Sequence, residues 1–135
     1  MVRPFTVLIT RPETDAGPLR AALLARGISA MLEPLLVIEL LPGPALDLEG
    51  VQAILATSAN GVRALSRRTD CRALPVLAVG DATAREAGAQ GFHAVESADG
   101  DVAALAALAI RRLDPAQGVL LHVAANEVAG DLASL

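Results

Sequence analysis

Along most of the chain one pattern recurs: a short apolar run, a corner of small or polar residues, then an Ala-, Leu- and Arg-rich stretch with helical spacing. The run Phe5 to Thr10 predicts a strand buried on both faces, and Arg11-Pro12-Glu13-Thr14-Asp15 predicts a helix start, with proline and early acids suited to its first turn. That helix places Leu19, Leu23 and Leu24 on one face and stops at Arg26-Gly27, after which Ile28 to Leu32 reads as a second strand. The apolar run Leu35 to Leu41 follows Pro34, and Pro42-Gly43-Pro44 marks a linker because neither helix nor central strand accommodates it.

Beyond the linker the unit returns. Strands are predicted at Val51 to Ala56, Val76 to Val79, near His93 to Val95, and at Val119 to Val123. Helices are predicted from about Gly61 to Arg68, from Ala82 to Gln90, and from Val102 to Leu113 with Asp101 as N-cap. Asp114-Pro115 closes the third of these, and a last helix is expected from Asn126 or Glu127 to Leu135. Val7-Leu8-Ile9 with Ala16-Gly17 and Leu19 is loosely similar to Val119-Leu120-Leu121 with Ala129-Gly130 and Leu132, as any pair of strand–helix units would be. The fold class implied is α/β with parallel sheets.

Composition narrows the chemistry. Hydrophobic residues are 53 % of the 135, which excludes a disordered chain. All 11 basic residues are Arg, against 15 acids, and the net charge of −4 argues against a general nucleic-acid or anionic-membrane surface. Two Phe are the only aromatics, so base-stacking platforms are lacking too. The lone Cys71 allows no internal disulfide and reads as filler, and no apolar run approaches the length of a signal-peptide core or a membrane span. A cytoplasmic protein is expected.

In open parallel sheets ligands gather at the carboxyl ends of the strands. The corners there are Thr10-Arg11-Pro12, Thr57-Ser58-Ala59-Asn60, Val79-Gly80-Asp81-Ala82-Thr83 and His122-Val123-Ala124-Ala125-Asn126. Hydroxyls and small residues before helix starts suit an anion. Gly80, Gly88 and Gly91 do not form a GxGxxG turn, and without lysine there is neither a Walker A loop nor a Schiff-base amine. His93 and His122 lie apart with no ligand spacing around them, so no metal is expected, and Ser58 has no nucleophile elbow.

The four corners, in that order, resemble the uroporphyrinogen-III synthase family. The resemblance begins with Val7-Leu8-Ile9-Thr10-Arg11-Pro12, the helix through Leu19 and Leu23 to Gly27, and Pro34. It continues in Ala56-Thr57-Ser58-Ala59-Asn60-Gly61-Val62, similar to the family's TSANAV signature, and in Val76-Leu77-Ala78-Val79-Gly80-Asp81-Ala82-Thr83-Ala84, similar to its VG-x-x-TA turn. Gly91, the Leu120-Leu121-His122 strand and Gly130-Asp131-Leu132 complete it. Val123-Ala124-Ala125 departs from the Arg-Gly pair of many relatives, which implies one anion contact fewer.

The resemblance implies flavodoxin-like lobes in a two-lobed, cofactor-free enzyme with its cleft between the lobes, a monomer at full length. Residues 1–34 would begin lobe 1, whose remainder is missing, and 35–135 would form most of the inserted lobe 2. The implied reaction cyclises the linear tetrapyrrole hydroxymethylbilane, with loss of water and inversion of the terminal ring. The implied catalytic residues are Thr83 and Ser58, and the implied substrate contacts are Arg11, Thr57, Ser58, Asn60, Gly80 and Thr83. Each has a plainer reading: Ser58 and Asn60 as helix caps, Thr83 as a residue bonding back to its own helix, and Arg11 paired with Glu13 or Asp15. Arg63, Arg67, Arg68 and Arg85 read mainly as solvated faces, and His122 as a packed core histidine. The alternative to the enzyme is a non-catalytic α/β module binding an anion or nucleotide at the same corners.

Overall fold

The computed structural model describes residues 5–124, which form two compact units dividing between Glu39 and Leu40. The helix expected from Asn126 or Glu127 lies outside the described residues.

The first unit is a single strand–helix–strand turn: β1 (Thr6–Ile9), α1 (Glu13–Leu24) and β2 (Ser29–Leu32). The two strands pair in parallel, with Leu8 beside Met31 and Ile9 beside Leu32. Gly27, at φ +71°, reverses the chain between helix and strand, where a Cβ would be strained. The expectation of a strand buried on both faces is corrected here. Ile9 and Ala16 are buried, but Leu8 and Met31 are 55 % and 54 % exposed. Among the described residues this unit has two strands and one helix, so only one face of its sheet is covered. For the same reason Leu19 and Leu24 are exposed rather than forming the packed face their spacing predicted. The run Leu35 to Leu41 adopts no regular element, and Leu35, Leu36 and Val37 face solvent.

The second unit contains β3 (Val51–Ala56), α2 (Ala59–Ser66), β4 (Val76–Ala78), α3 (Asp81–Ala89), β5 (Val95–Ser97), α4 (Val102–Arg112), a 3-10 turn (Pro115–Gln117) and β6 (Val119–Val123). Its sheet has the order β5-β4-β3-β6 with every pair parallel. Alternate residues of the central strands feed two cores, as a sheet covered on both faces requires. Ile54, Ala56 and Val76 pack with Val62, Leu65, Ala87 and Phe92 from the α2 and α3 side, while Leu55 and Leu77 pack with Leu105, Leu108 and Ala109 of α4. The expected strand near His93 to Val95 begins at Val95, because Gly91 (φ +91°) first turns the chain so that Phe92 enters the core. The guanidinium of Arg72 lies 4.9 Å from the Phe92 ring centroid and donates to the carbonyls of Thr69, Cys71 and Gln90, closing that end of the core. At the amino end of the sheet the entry to β6 needs glycine: Gly118 has φ +138°, and a side chain on it would run into the Gly50 carbonyl oxygen. Gln52 secures the same turn, donating from Nε2 to the carbonyls of Asp114 and Gly118 at 3.0 and 2.6 Å.

Candidate functional site

Sheet topology singles out one crevice. From β3 the chain steps through α2 to β4 and through α3 to β5, always to the same side; after α4 it returns to the opposite side of β3 to lay down β6. The strand order therefore reverses between β3 and β6, and the carboxyl ends of two strands at such a reversal are where sheets of this kind hold ligands. Thr57-Ser58 leave β3 at this point, and His122 and Val123 end β6 beside them, with Leu55 opposite His122 and Ala56 opposite Val123.

Ser58 is extended, at φ −153°, and its Oγ accepts from the Gly61 amide at 3.0 Å, which makes it the N-cap of α2. The helix thus starts at Ala59, earlier than expected from the sequence, and its first turn passes close to β6: a Cβ on Gly61 would stand 3.2 Å from the Val123 carbonyl oxygen. A side chain at this position would fit only if the end of β6 gave way by a few tenths of an ångström, so the α2 N-terminus stands close beside it. Gly80 fills the corresponding place before α3. Its φ of −159° is open to any residue, and a Cβ there would meet nothing within 4 Å. Neither backbone nor packing asks for glycine, and the space in front of the α3 N-terminus is left clear.

The remaining candidates differ in how they are placed. Thr57 is half-buried, and its hydroxyl lies 3.5 Å from Nε2 of His122. Asn60 Oδ1 accepts from Arg63 at 2.7 Å, and Arg63 pairs with Glu86 at 2.8 Å, so Asn60 is tied into a bridge between α2 and α3. Arg63 is correspondingly not the solvated face expected of it; the i, i+3 spacing from Asn60 hinted at half of this, but no local signal pointed to Glu86. Thr83 is buried, 5 % exposed, in the first turn of α3. Arg11 is exposed at the end of β1 in the first unit. Thr57, Ser58 and Asn60 thus share one corner of the second unit, and Gly80 and Thr83 the next one.

His122 is the residue whose placement sequence reading misjudged. Leu121 and Val123 pack on the α2 and α3 core, so His122 between them points to the other sheet face, where it is half-buried at an edge strand rather than packed in a core. The available signal was strand alternation combined with its position one residue from the strand end. A hollow of about 300 Å³ lined by Gly43, Leu46, Arg68 and Asp70, among others, lies instead past the C-terminal end of α2, away from the corners. Among the described residues no His, Cys, Asp and Glu side chains are grouped to hold a metal ion, and no helix is long and apolar enough to cross a membrane.

The model of a protein family described as "Uroporphyrinogen-III synthase HemD" matches residues 17–135, which takes in both corners and the strand bearing His122. No curated protein matches the chain.

Proposed function

Because the chain belongs to the uroporphyrinogen-III synthase family, we propose that it acts on hydroxymethylbilane, closing this linear tetrapyrrole to the type III isomer with loss of water and inversion of the terminal ring. The observation that carries the reading is the reversal of strand order between β3 and β6, where the α2 N-terminus and the hydroxyls of Thr57 and Ser58 converge.

The chemistry asks more for shape control than for a strong nucleophile. Once the hydroxyl has left, the azafulvene produced is reactive enough for the terminal pyrrole to attack it. What distinguishes type III from type I is attack at the substituted carbon and reclosure after the ring turns over. A protein that holds the acetate and propionate groups of a flexible polyanion in one folded arrangement raises the effective concentration of one closure over the other. Backbone N–H groups at helix N-termini and hydroxyl donors are suited to carboxylates. In this reading Gly80 leaves room for a carboxylate before α3, Thr57 and Ser58 contact the substrate at the β3 corner, and Asn60 and Thr83 orient those corners from the helices behind. Arg11, a further expected contact, lies at the end of β1 in the first unit. No cofactor is invoked.

The test is the ratio of type III to type I uroporphyrinogen formed from hydroxymethylbilane by the chain, against a buffer blank in which spontaneous closure gives type I. An excess of type III over the blank is expected. A folded chain that gives only the blank ratio overturns the reading, and binding of a nucleotide in place of a tetrapyrrole would favour a non-catalytic anion-binding module.

A further inference from the structure

We propose that His122 and Thr57 form a single proton-sensitive carboxylate site at the crevice between β3 and β6, in which protonation of His122 turns on binding through the Thr57 hydroxyl. The proposal deepens the functional reading above and rests on it for the identity of the natural ligand, though not for the coupling between the two residues.

Three observations converge. The pair stands where the strand order reverses, at the carboxyl ends of adjacent parallel strands. Both residues are half-buried, and their side chains are in contact. Nε2 of His122 lies 3.5 Å from Oγ1 of Thr57, the long end of hydrogen-bond range, as is common for site residues that tighten when a ligand arrives.

The two protonation states of the ring then give Thr57 two different roles. An imidazolium has a hydrogen on both nitrogens, so Nε2 donates to the Thr57 oxygen, and the hydroxyl proton is free to point at a ligand carboxylate. The resulting chain, from imidazolium through hydroxyl to carboxylate, is charge-assisted at both ends. In the neutral ring the charge is gone in either tautomer. Where Nε2 is bare, the hydroxyl proton is also drawn back to the ring, and Thr57 presents lone pairs, which repel a carboxylate.

The charged groups on the neighbouring elements are as follows among the described residues. β3 carries no ionisable side chain, and β6 carries none besides His122. On α2 the only one is Arg63, held by Asn60 and Glu86; at α4 they are Asp101, whose carboxylate caps the N-terminus by accepting from the Ala104 amide, and Arg111 and Arg112 in the last turn, with Arg112 held by Glu96.

Two measurements on the intact chain test this. In the first, threonine-labelled protein is titrated by NMR, with exposed His93 as an internal reference. The Thr57 methyl resonance is expected to move with the midpoint of His122 and to stop moving in His122→Asn. A Thr57 resonance that stays flat while His122 titrates overturns the proposal. In the second, uroporphyrin I serves as an octacarboxylate probe and glutarate as a carboxylate without pyrroles. Affinity for either is expected to rise about tenfold from about pH 8 to about pH 6, the scale of one charge-assisted hydrogen bond, and to lose that rise in both Thr57→Val and His122→Asn. An equal rise in Thr57→Val overturns the coupling. Coupled titration with glutarate binding but no uroporphyrin binding leaves the switch standing and removes the tetrapyrrole reading. Uroporphyrin binding with a flat Thr57 does the reverse.

Discussion

At the scale of single residues, function and stability separate most cleanly at Gly80 and Ser58. Gly80 has extended backbone and open space where a Cβ would project. Gly80→Ala is therefore expected to leave folding stability unchanged or to raise it by about 0.5 kcal/mol, because alanine reduces the freedom of the unfolded chain. The same methyl group would occupy the clear space before α3, so the KM for hydroxymethylbilane is expected to rise severalfold. Urea denaturation beside steady-state kinetics checks both, and a fall in stability with unchanged kinetics would refute the assignment of that space to substrate. Ser58 carries a second duty. Its Oγ accepts the Gly61 amide at 3.0 Å, so Ser58→Ala should cost about 1 kcal/mol by loss of the cap, visible as a lowered urea midpoint. Ser58→Asp, which also caps, should recover that stability while placing a negative charge where carboxylates are proposed to bind, and so should not recover turnover. The Ser58 cap was legible in the sequence because cap chemistry is local. His122 was not, since its neighbour Thr57 is 65 positions away and only β6 pairing with β3 brings the two together.

Among elements, the junction of β5 and α4 shows how a tertiary charge pair responds to pH. Glu96 on β5 accepts from both Nε and a terminal nitrogen of Arg112 on α4, at 2.8 to 3.2 Å. This hydrogen bonding, against an opposing desolvation and helped by the positive charge of Arg112 and then Arg111, holds the Glu96 carboxyl below its ordinary value. A carboxylate lowered in the folded state contributes stability above its unfolded value and loses it as pH falls through the lowered one. Glu96→Gln should accordingly be slightly less stable than the parent at neutral pH, with the gap closing as the solution is taken below the ordinary carboxylate range. The pair is well exposed, so added salt should shrink the gap as well. A gap that persists in acid would mean that packing, not charge, ties β5 to α4. α4 was nonetheless fully legible: Asp101 caps it by accepting from the Ala104 amide at 3.0 Å, and its leucine spacing matches the face buried against Leu55 and Leu77. α1 was legible as a helix but not in its packing, because Leu19 and Leu24 have the periodicity of a buried face and no partner on which to bury it.

Over the whole molecule, the same sequence pattern yields two units of very different solidity. Val51–Ala56 of β3 lies between two neighbouring strands, with helices on both faces, and Ala53 to Ala56 are all buried. β1, by contrast, has among the described residues one strand partner and one helix, which contains Pro18 and so lacks one of its backbone hydrogen-bond donors. Apolar residues at strand spacing cannot reveal this difference, since the strength of a parallel sheet depends on how many strands and helices eventually cover it. Stability should be distributed accordingly, because local opening is governed by buried contacts more than by hydrogen-bond pattern. Native-state hydrogen exchange is expected to find the slowest amides in β3 and β4, opening only with global unfolding, and amides of β1 and β2 exchanging at least about a hundredfold faster, as befits a two-stranded sheet. Equal protection in the two units would show that the exposed face bearing Leu8 and Met31 is covered in solution. A ligand held at the crevice between β3 and β6 should further slow exchange in α2 and β6, since whatever binds only the folded state raises its stability. β1 and β2 should not follow if their opening is independent of the second unit, so the ligand-bound exchange pattern would also report whether the two units unfold together.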